Sequence, residues 1–135
     1  MKNILILTFI ILFIIFIYYI MEQRKNFNPK IFLRNNLVNN YNGYIIPPFG
    51  VFIKESEKDN QALIEHEMTH WKQFQREGII PFLINYSMEA FKNGYDKNKY
   101  EIEARTLEDD YCKENYTECV RNGTAKTVYN PNFRS

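Results

Sequence analysis

Two histidines four residues apart, the first followed at once by a glutamate, are the residues of this sequence best suited to chemistry. They are His66 and His70, and the glutamate is Glu67. On a helix, residues four apart project from the same face, so both rings can place a nitrogen about 2.0 to 2.1 Å from one zinc ion. Glu67 would lie beside the metal and could take a proton from the water that zinc activates. The pattern predicts a zinc site at His66 and His70, with Glu67 as the catalytic base.

A helix is needed to hold this spacing, and the flanking sequence predicts one. Nothing over Gln61–Glu77 breaks a helix, Asp59 or Asn60 can cap its start, and Gly78 can end it. The alternative is an amphipathic helix whose two histidines face solvent by coincidence. Apolar residues on both sides of the motif favour a packed helix, in which a shared metal would account for buried histidines.

Catalytic zinc also needs a third protein ligand and one open position. Because the chain has only two histidines, the third ligand should be a carboxylate. A further helix is predicted to begin between residues 96 and 98 and to continue to about 111. Its Glu101 and Glu103 are the leading candidates, and Glu89 and Glu108 are weaker ones.

Two segments together resemble the zinc helix and the glutamate helix of the gluzincin metallopeptidases. They are His-Glu-Met-Thr-His-Trp-Lys-Gln at residues 66–73 and Tyr-Glu-Ile-Glu-Ala-Arg at residues 100–105. The likeness is to the small minigluzincin-type members and to the membrane CAAX-protease-like group, whose second motif is Glu-x-x-Ala-Asp or a close relative. The resemblance implies that Glu101 is the third ligand, that Ala104 lets the two helices approach, and that the chain hydrolyses peptide bonds.

One residue departs from that family pattern. Arg105 stands where the family often has an aspartate that hydrogen-bonds a zinc-binding histidine. Such outer partners fix the orientation of the ligands. Glu103, Glu108 and Asp109 are the candidates to replace it.

The resemblance also implies two elements for holding a substrate. An edge strand would bind the substrate backbone by strand addition, and residues 51–54 are the candidate. A side chain would donate to the oxyanion, and the candidates are Tyr86, Tyr95 and Tyr100.

The amino-terminal residues 4–20 are apolar except for Thr8, Tyr18 and Tyr19. This length is near the minimum for crossing a hydrocarbon core of roughly 30 Å, so it predicts one transmembrane helix with the tyrosines at the interface. A cleaved signal peptide is the alternative, but the apolar stretch is longer than usual and no small-x-small cleavage site follows it. We expect a single-pass membrane protein with an uncleaved anchor.

Two kinds of signal disagree about the side of the membrane on which the rest of the chain lies. Four basic residues that follow the anchor favour the cytoplasm: Arg24, Lys25, Lys30 and Arg34. Glycosylation-type triplets at Asn85, Asn115 and Asn122, together with Cys112 and Cys119, favour the opposite side. On one helix these cysteines would be about 10 Å apart, beyond disulfide reach, so they can pair only if the helix ends before them. Two free thiols are the alternative.

Taken together, the sequence predicts a mostly helical α+β fold. A transmembrane helix at 1–21 is followed by a linker with a short helix at 22–43, a zincin-like metallopeptidase domain at 44–120 and a surface tail at 121–135. The domain should contain a short β element and three main helices. The second of these should open at Pro81 and end near Gly94.

The expected function is zinc-dependent endopeptidase activity on peptide or protein substrates at or near a membrane. One rival is a zinc-binding module without catalysis, which would have a closed four-ligand site. Another is a membrane-anchored interaction protein without metal. With 17 basic and 16 acidic residues, the chain has no basic stripe, so nucleic acid is not an expected partner.

Overall fold

The computed structural model describes residues 2–25 and 28–124. Within them the chain forms five α-helices and three strands. In chain order these are α1 Lys2–Arg24, β1 Ile31–Arg34, β2 Gly43–Ile46, β3 Gly50–Lys54, α2 Gln61–Glu77, α3 Ile79–Asn93, α4 Lys99–Glu114 and α5 Tyr116–Arg121, with single 3-10 turns at Val38–Asn40 and Glu55–Glu57. The prediction of a mostly helical fold with a short β element is confirmed.

Helix α2 has the bounds that its local signals predict. The Asn60 side chain accepts a hydrogen bond from the backbone N–H of Leu63 at 3.2 Å, which satisfies one of the free donors at the helix start. Gly78 ends the helix with φ 90°, a backbone conformation that glycine adopts without strain. Helix α3 starts directly after it at Ile79, two residues before the predicted start at Pro81.

The three strands form one sheet in the order β1-β3-β2. Strand β3 pairs in parallel with β1 and antiparallel with β2. Strand β1 and the first 3-10 turn lie in the stretch for which the sequence predicts a linker with a short helix. Alternation along β3 sends the fully buried Val51 and Ile53 towards the core, while Phe52 stacks on Phe32 and Tyr44 on the other face.

The core lies between the sheet and helices α2, α3 and α4. It is built from large apolar side chains of all these elements, namely Val51, Ile53, Trp71, Phe74, Phe82 and Tyr100. Helix α4 packs more extensively on α2 than any other pair of elements in the described part of the chain. Ala104 of α4 is fully buried. This packing fixes how the two helices present their polar side chains to each other.

Cys112 and Cys119 form a disulfide, with their Cα atoms 5.7 Å apart. The helical path is interrupted between them, because α4 ends at Glu114 and α5 starts at Tyr116. The expectation that pairing requires the helix to end before both cysteines is therefore wrong, since one break between them is enough. The disulfide packs against Ala62 in the first turn of α2.

Helix α1 is long and apolar enough to cross a membrane, and none of its residues is buried against the rest of the chain. Its last two turns nevertheless contact the remainder of the protein through Tyr19 and Arg24. At the other end, the predicted surface tail 121–135 lies outside the described residues beyond Thr124.

Candidate metal centre

Three side chains from two helices converge on one point. Helix α2 contributes His66 and His70, and α4 contributes Glu101. The Nε2 atom of His70 lies 3.2 Å from Oε1 of Glu101, and Nε2 of His66 lies 3.5 Å from Oε2. Donor atoms on a tetrahedral zinc ion are about 3.3 Å apart. The group can therefore hold a metal ion.

The other ring nitrogen of His66 is held by a carboxylate. Its Nδ1 lies 2.9 Å from Oε2 of Glu108, a residue of α4 two helical turns beyond Glu101. An ionised carboxylate can only accept a hydrogen bond, so Nδ1 carries the hydrogen. In the neutral ring, the Nε2 atom, which faces Glu101, then has the lone pair.

His70 is held in the same way by an amide. Its Nδ1 lies 2.9 Å from Oε1 of Gln73. The amide nitrogen of Gln73 donates to the carbonyl of Tyr100 at 3.0 Å and to Glu103 at 3.1 Å, so the oxygen is the atom that remains for His70. The Nδ1–H of His70 donates to that oxygen, and Nε2 again faces Glu101 with a lone pair.

This arrangement requires a positive charge at its centre. Two nitrogen lone pairs that face a carboxylate repel it unless a proton or a metal ion lies between them. Oε2 of Glu101 is also buried and has no hydrogen-bond partner among the described residues. Such an orphaned buried oxygen is costly, and a cation would satisfy it. The residues present therefore fit a bound metal ion.

When no metal ion is bound, a proton on His66 supplies the positive charge. Burial alone lowers the pKa of His66, but the carboxylates of Glu101 and Glu108 beside its two ring nitrogens outweigh burial and raise the pKa to about 9. Burial raises the pKa of Glu101, but the two histidines and the Tyr86 hydroxyl hold it well below its usual range. The site thus stabilises a cation next to a charged carboxylate.

Glu67 lies beside this group and points into a cleft. Its side chain is only 5% exposed, and burial raises the pKa of its carboxyl to about 7 against the opposing effect of the two histidines. A group that titrates near neutral pH is suited to both accepting and returning a proton.

Strand β2 passes so close to Glu67 that one residue must lack a side chain. A Cβ atom built on Gly43 would lie 2.9 Å from Oε1 of Glu67 and 3.0 Å from its Cγ. Only glycine fits there without moving the carboxylate. The strand therefore helps to fix the position of Glu67.

The three converging side chains and Glu67 form the floor of a cleft of about 380 Å³. Its walls are largely apolar and aromatic. They come from the stretch around β2, from α3 and from the loop after α3. The wall residues include Tyr41, Tyr44, Ile45, Pro47, Phe82, Leu83, Tyr86 and Tyr95. The site is therefore open to a ligand through this cleft, which Glu108 does not line.

The tyrosine candidates separate into two groups. Tyr86 and Tyr95 line the cleft, and the Tyr86 hydroxyl donates to Oε1 of Glu101 at 2.5 Å. Tyr100 is buried in the core, and its hydroxyl donates to Glu77 at 2.8 Å instead. Arg105 lies against the ring of Tyr95 and hydrogen-bonds the backbone oxygen of Asp96, so it supports the rim of the cleft.

Residues 51–54 do not form an edge strand, which corrects the sequence-based expectation. They belong to β3, the central strand, and both of its edges are paired. The edge next to the cleft is that of β2. Because the Lys54 N–H bonds the Asn42 carbonyl, the alternation of the ladder points the backbone groups of Gly43 and Ile45 away from β3.

Of the four carboxylates considered from sequence, Glu101 alone lies against both Nε2 atoms. Glu108 holds the far side of His66, Glu103 pairs with Arg76 and Gln73, and Glu89 lies near Lys99. Asp109 is exposed.

The contacts of Gln73 with His70 and of Gly43 with Glu67 were not predicted from the sequence. Gln73 is three residues after His70 on the same helix, a spacing that places the two side chains together. The contact of Gly43 with Glu67 depends on how the sheet packs on α2, and no local signal reports it.

Comparison with known protein families, characterised proteins and solved structures gives no match for this chain.

Proposed function

We propose that this chain is a zinc-dependent peptidase anchored to a membrane by α1. The observation that carries the proposal is the convergence of Nε2 of His66 and Nε2 of His70 on the buried carboxylate of Glu101. Two imidazoles and a carboxylate, with an open side, are the ligand set of several catalytic zinc sites. The spacing of His66, Glu67 and His70 supports the same assignment.

Zinc bound by this group would polarise a carbonyl oxygen and lower the pKa of water to about 7. The protein's own part is the handling of the proton. Glu67, whose carboxyl lies beside the ligand group and in the cleft, would take a proton from the attacking water and return it to the leaving amine. Tyr86 and Tyr95 are the cleft tyrosines that could donate to the developing oxyanion, and Tyr86 would first have to give up its hydrogen bond to Glu101.

The free edge of β2 supports a peptide as the substrate. Extended peptides bind sheet edges through backbone hydrogen bonds, with side chains on alternate faces. The backbone groups of Gly43 and Ile45 point to that edge, beside the cleft that Glu67 lines. We propose that the substrate backbone lies along β2.

A closed structural zinc site is the second candidate, and one observation disfavours it. A closed site needs a fourth protein ligand. In the described part of the chain, the group has three members, and no other histidine, cysteine, aspartate or glutamate joins it as a fourth ligand. The group also lines the cleft.

The disulfide bears on the side of the membrane. Disulfides persist in oxidising compartments. The Cys112–Cys119 bond therefore favours an extracytoplasmic location for the domain, against the preference of the basic residues that follow α1.

The test uses the full chain in detergent. Metal analysis should find one zinc per chain, and a mixture of peptides should be cleaved at new termini detected by mass spectrometry. Glu67→Gln should keep the zinc and lose at least about 100-fold in cleavage rate. Glu65→Gln, the same change two residues earlier on α2, is the matched control and should cleave like the parent. A chain that binds no zinc, or a Glu67→Gln variant as active as the parent, would refute the proposal.

A further inference from the structure

Helix α3 exposes an apolar face that nothing in the described chain covers. Ile80, Ile84, Met88 and Phe91 are 66%, 52%, 49% and 93% exposed. Their spacing places them on one side of the helix. Phe82 is the one fully buried residue of α3. A continuous apolar surface of this kind marks a site that contacts a protein partner, a ligand or a membrane.

The start of α3 lies next to the end of the candidate transmembrane helix. The Arg24 side chain donates to the carbonyls of Gln75 and Arg76 at 2.9 and 3.1 Å, in the last turn of α2. Gly78 then leads directly into α3. These contacts place the first turn of α3 at the level where α1 leaves the hydrocarbon core.

A second contact also joins the carboxyl-terminal part of α1 to the rest of the chain. The ring of Tyr19 lies 6.4 Å from the ring of Phe49, which is at the tip of the β2–β3 hairpin and is half exposed. Tyrosine at the end of a transmembrane helix is typical of the membrane interface. Tyr19 precedes Arg24 by five residues, roughly 7.5 Å along α1, so the hairpin tip lies by about that distance nearer the apolar part of α1 than the start of α3.

The groove between α1 and α2 is lined by positively charged side chains, as is favourable at the surface of a membrane with anionic lipids. It has a volume of about 630 Å³ and is lined by Arg24, Lys25, Lys72 and Arg76. Among the described residues, no carboxylate pairs with Arg24, Lys25 or Lys72. Basic side chains immediately next to a transmembrane helix attract anionic headgroups.

We infer that α3 lies in the interfacial layer of the membrane that α1 spans, with its apolar face among the acyl chains and the basic groove on anionic headgroups. Amphipathic helices bind bilayers in this way. The inference rests on the membrane anchoring proposed above, and it is independent of the peptidase chemistry. Leu83, which is half exposed on α3, also lines the cleft, so the cleft opens beside the membrane surface.

The test places tryptophan on two sides of α3 in the full chain, reconstituted in vesicles of phosphatidylcholine and phosphatidylglycerol. Ile84→Trp and Phe91→Trp report on the apolar face, and Asn93→Trp, nearly opposite Ile84 around the helix, is the matched control. The native Trp71 is fully buried and gives a constant background. Lipids brominated on the acyl chains quench tryptophan that they contact.

We expect quenching of the added emission at positions 84 and 91 to be at least twofold stronger than at position 93. Phe91 is almost fully exposed, so its replacement leaves the packing of the domain unchanged. Equal, weak quenching at all three positions would overturn the inference. A blue-shifted but unquenched emission at positions 84 and 91 would also overturn it, in favour of a protein partner such as a second copy. Neither result depends on zinc or on peptide cleavage.

Discussion

Glu108 holds Nδ1 of His66 at 2.9 Å while Nε2 of the same ring faces Glu101. Both carboxylates belong to α4 and are seven residues apart, so they share one face of the helix. The single ring of His66 therefore lies between them. Arg105 of the same helix contacts Tyr95 and the backbone of Asp96 instead, so the acid that holds His66 is Glu108.

Removing the Glu108 carboxylate should weaken metal binding without abolishing it. In Glu108→Ala, His66 loses the acceptor that fixes its tautomer, and zinc affinity should fall by about 10-fold to 100-fold. Competition with a chromophoric chelator measures this affinity. Glu108→Gln keeps an acceptor oxygen and should lose less. Asp109→Ala, which removes an exposed acid at the next position, should bind like the parent, and an equal loss in that variant would argue against the role of Glu108.

Adding one methyl group at Gly43 should impair catalysis more than metal binding. The new Cβ would lie 2.9 Å from Oε1 of Glu67, so Gly43→Ala must displace the proposed base. A displacement of about 1 Å can cost on the order of 100-fold in rate. We expect the turnover number to fall by this order while one zinc per chain is retained.

The control for that variant is Ile46→Ala on the same strand, because Ile46 is 40% exposed and does not line the cleft. It should keep both activity and zinc. Full activity in Gly43→Ala would mean that the position of Glu67 is not important for the reaction.

Zinc should stabilise the folded chain, and chelation should remove that stabilisation. A ligand that binds only the folded state at about 1,000 times its Kd contributes about 4 kcal/mol. For a domain of this size this corresponds to a rise in Tm on the order of 10 °C. Thermal unfolding of the full chain in detergent, followed by near-UV circular dichroism with zinc and with a chelator, measures the difference.

Two variants make that measurement specific to the site. His70→Ala removes a proposed ligand, and the zinc-dependent part of its Tm should vanish whatever its basal stability. Glu67→Gln leaves the three ligands in place and should keep the rise. A similar rise in His70→Ala would locate the stabilising metal elsewhere.

The sequence predicts α2 closely because its signals are local. Asn60 at one end and Gly78 at the other fix the helix independently of the rest of the fold. Local signals could not decide whether Glu101 or Glu103 is the proposed third ligand. Both lie on α4, and the rotation of that helix about its axis decides which one faces the histidines. Packing in the core, where Trp71 of α2 and Tyr100 of α4 belong to one cluster, sets this rotation.

The sheet was predicted less well for the same reason. Strand β1 comes from a polar, asparagine-rich stretch that gives no strong strand signal, yet its pairing turns β3 from an edge into a central strand. Likewise, the pairing of Cys112 with Cys119 depends on the break at Asn115. The sheet order is decided by contacts between segments that are distant in sequence, and the disulfide by an irregular break within a helical stretch, and periodicity within a segment reports neither.

The disulfide gives a prediction that also tests the location of the domain. If the chain folds in an oxidising compartment, alkylation of the denatured protein without reductant should add nothing to Cys112 and Cys119, and alkylation after reduction should add two groups. Mass spectrometry of protein from acid-quenched cells distinguishes the two states. Two adducts without reductant would show free thiols and would favour the cytoplasmic side.

The disulfide should stabilise the part of the domain in which α5 and the end of α4 pack against the first turn of α2. The two cysteines form one buried cluster with Ala62 in the first turn of that helix, so the bond holds α5 and the end of α4 against it. For a loop this short, the chain-entropy model gives about 2 to 3 kcal/mol.

The double variant Cys112→Ser/Cys119→Ser should therefore unfold at lower temperature than the parent. Because the proposed zinc ligands lie further along α2 and on α4, its zinc stoichiometry should equal that of the parent. A double variant as stable as the oxidised parent would show that packing of α5, rather than the covalent link, holds this end of the domain.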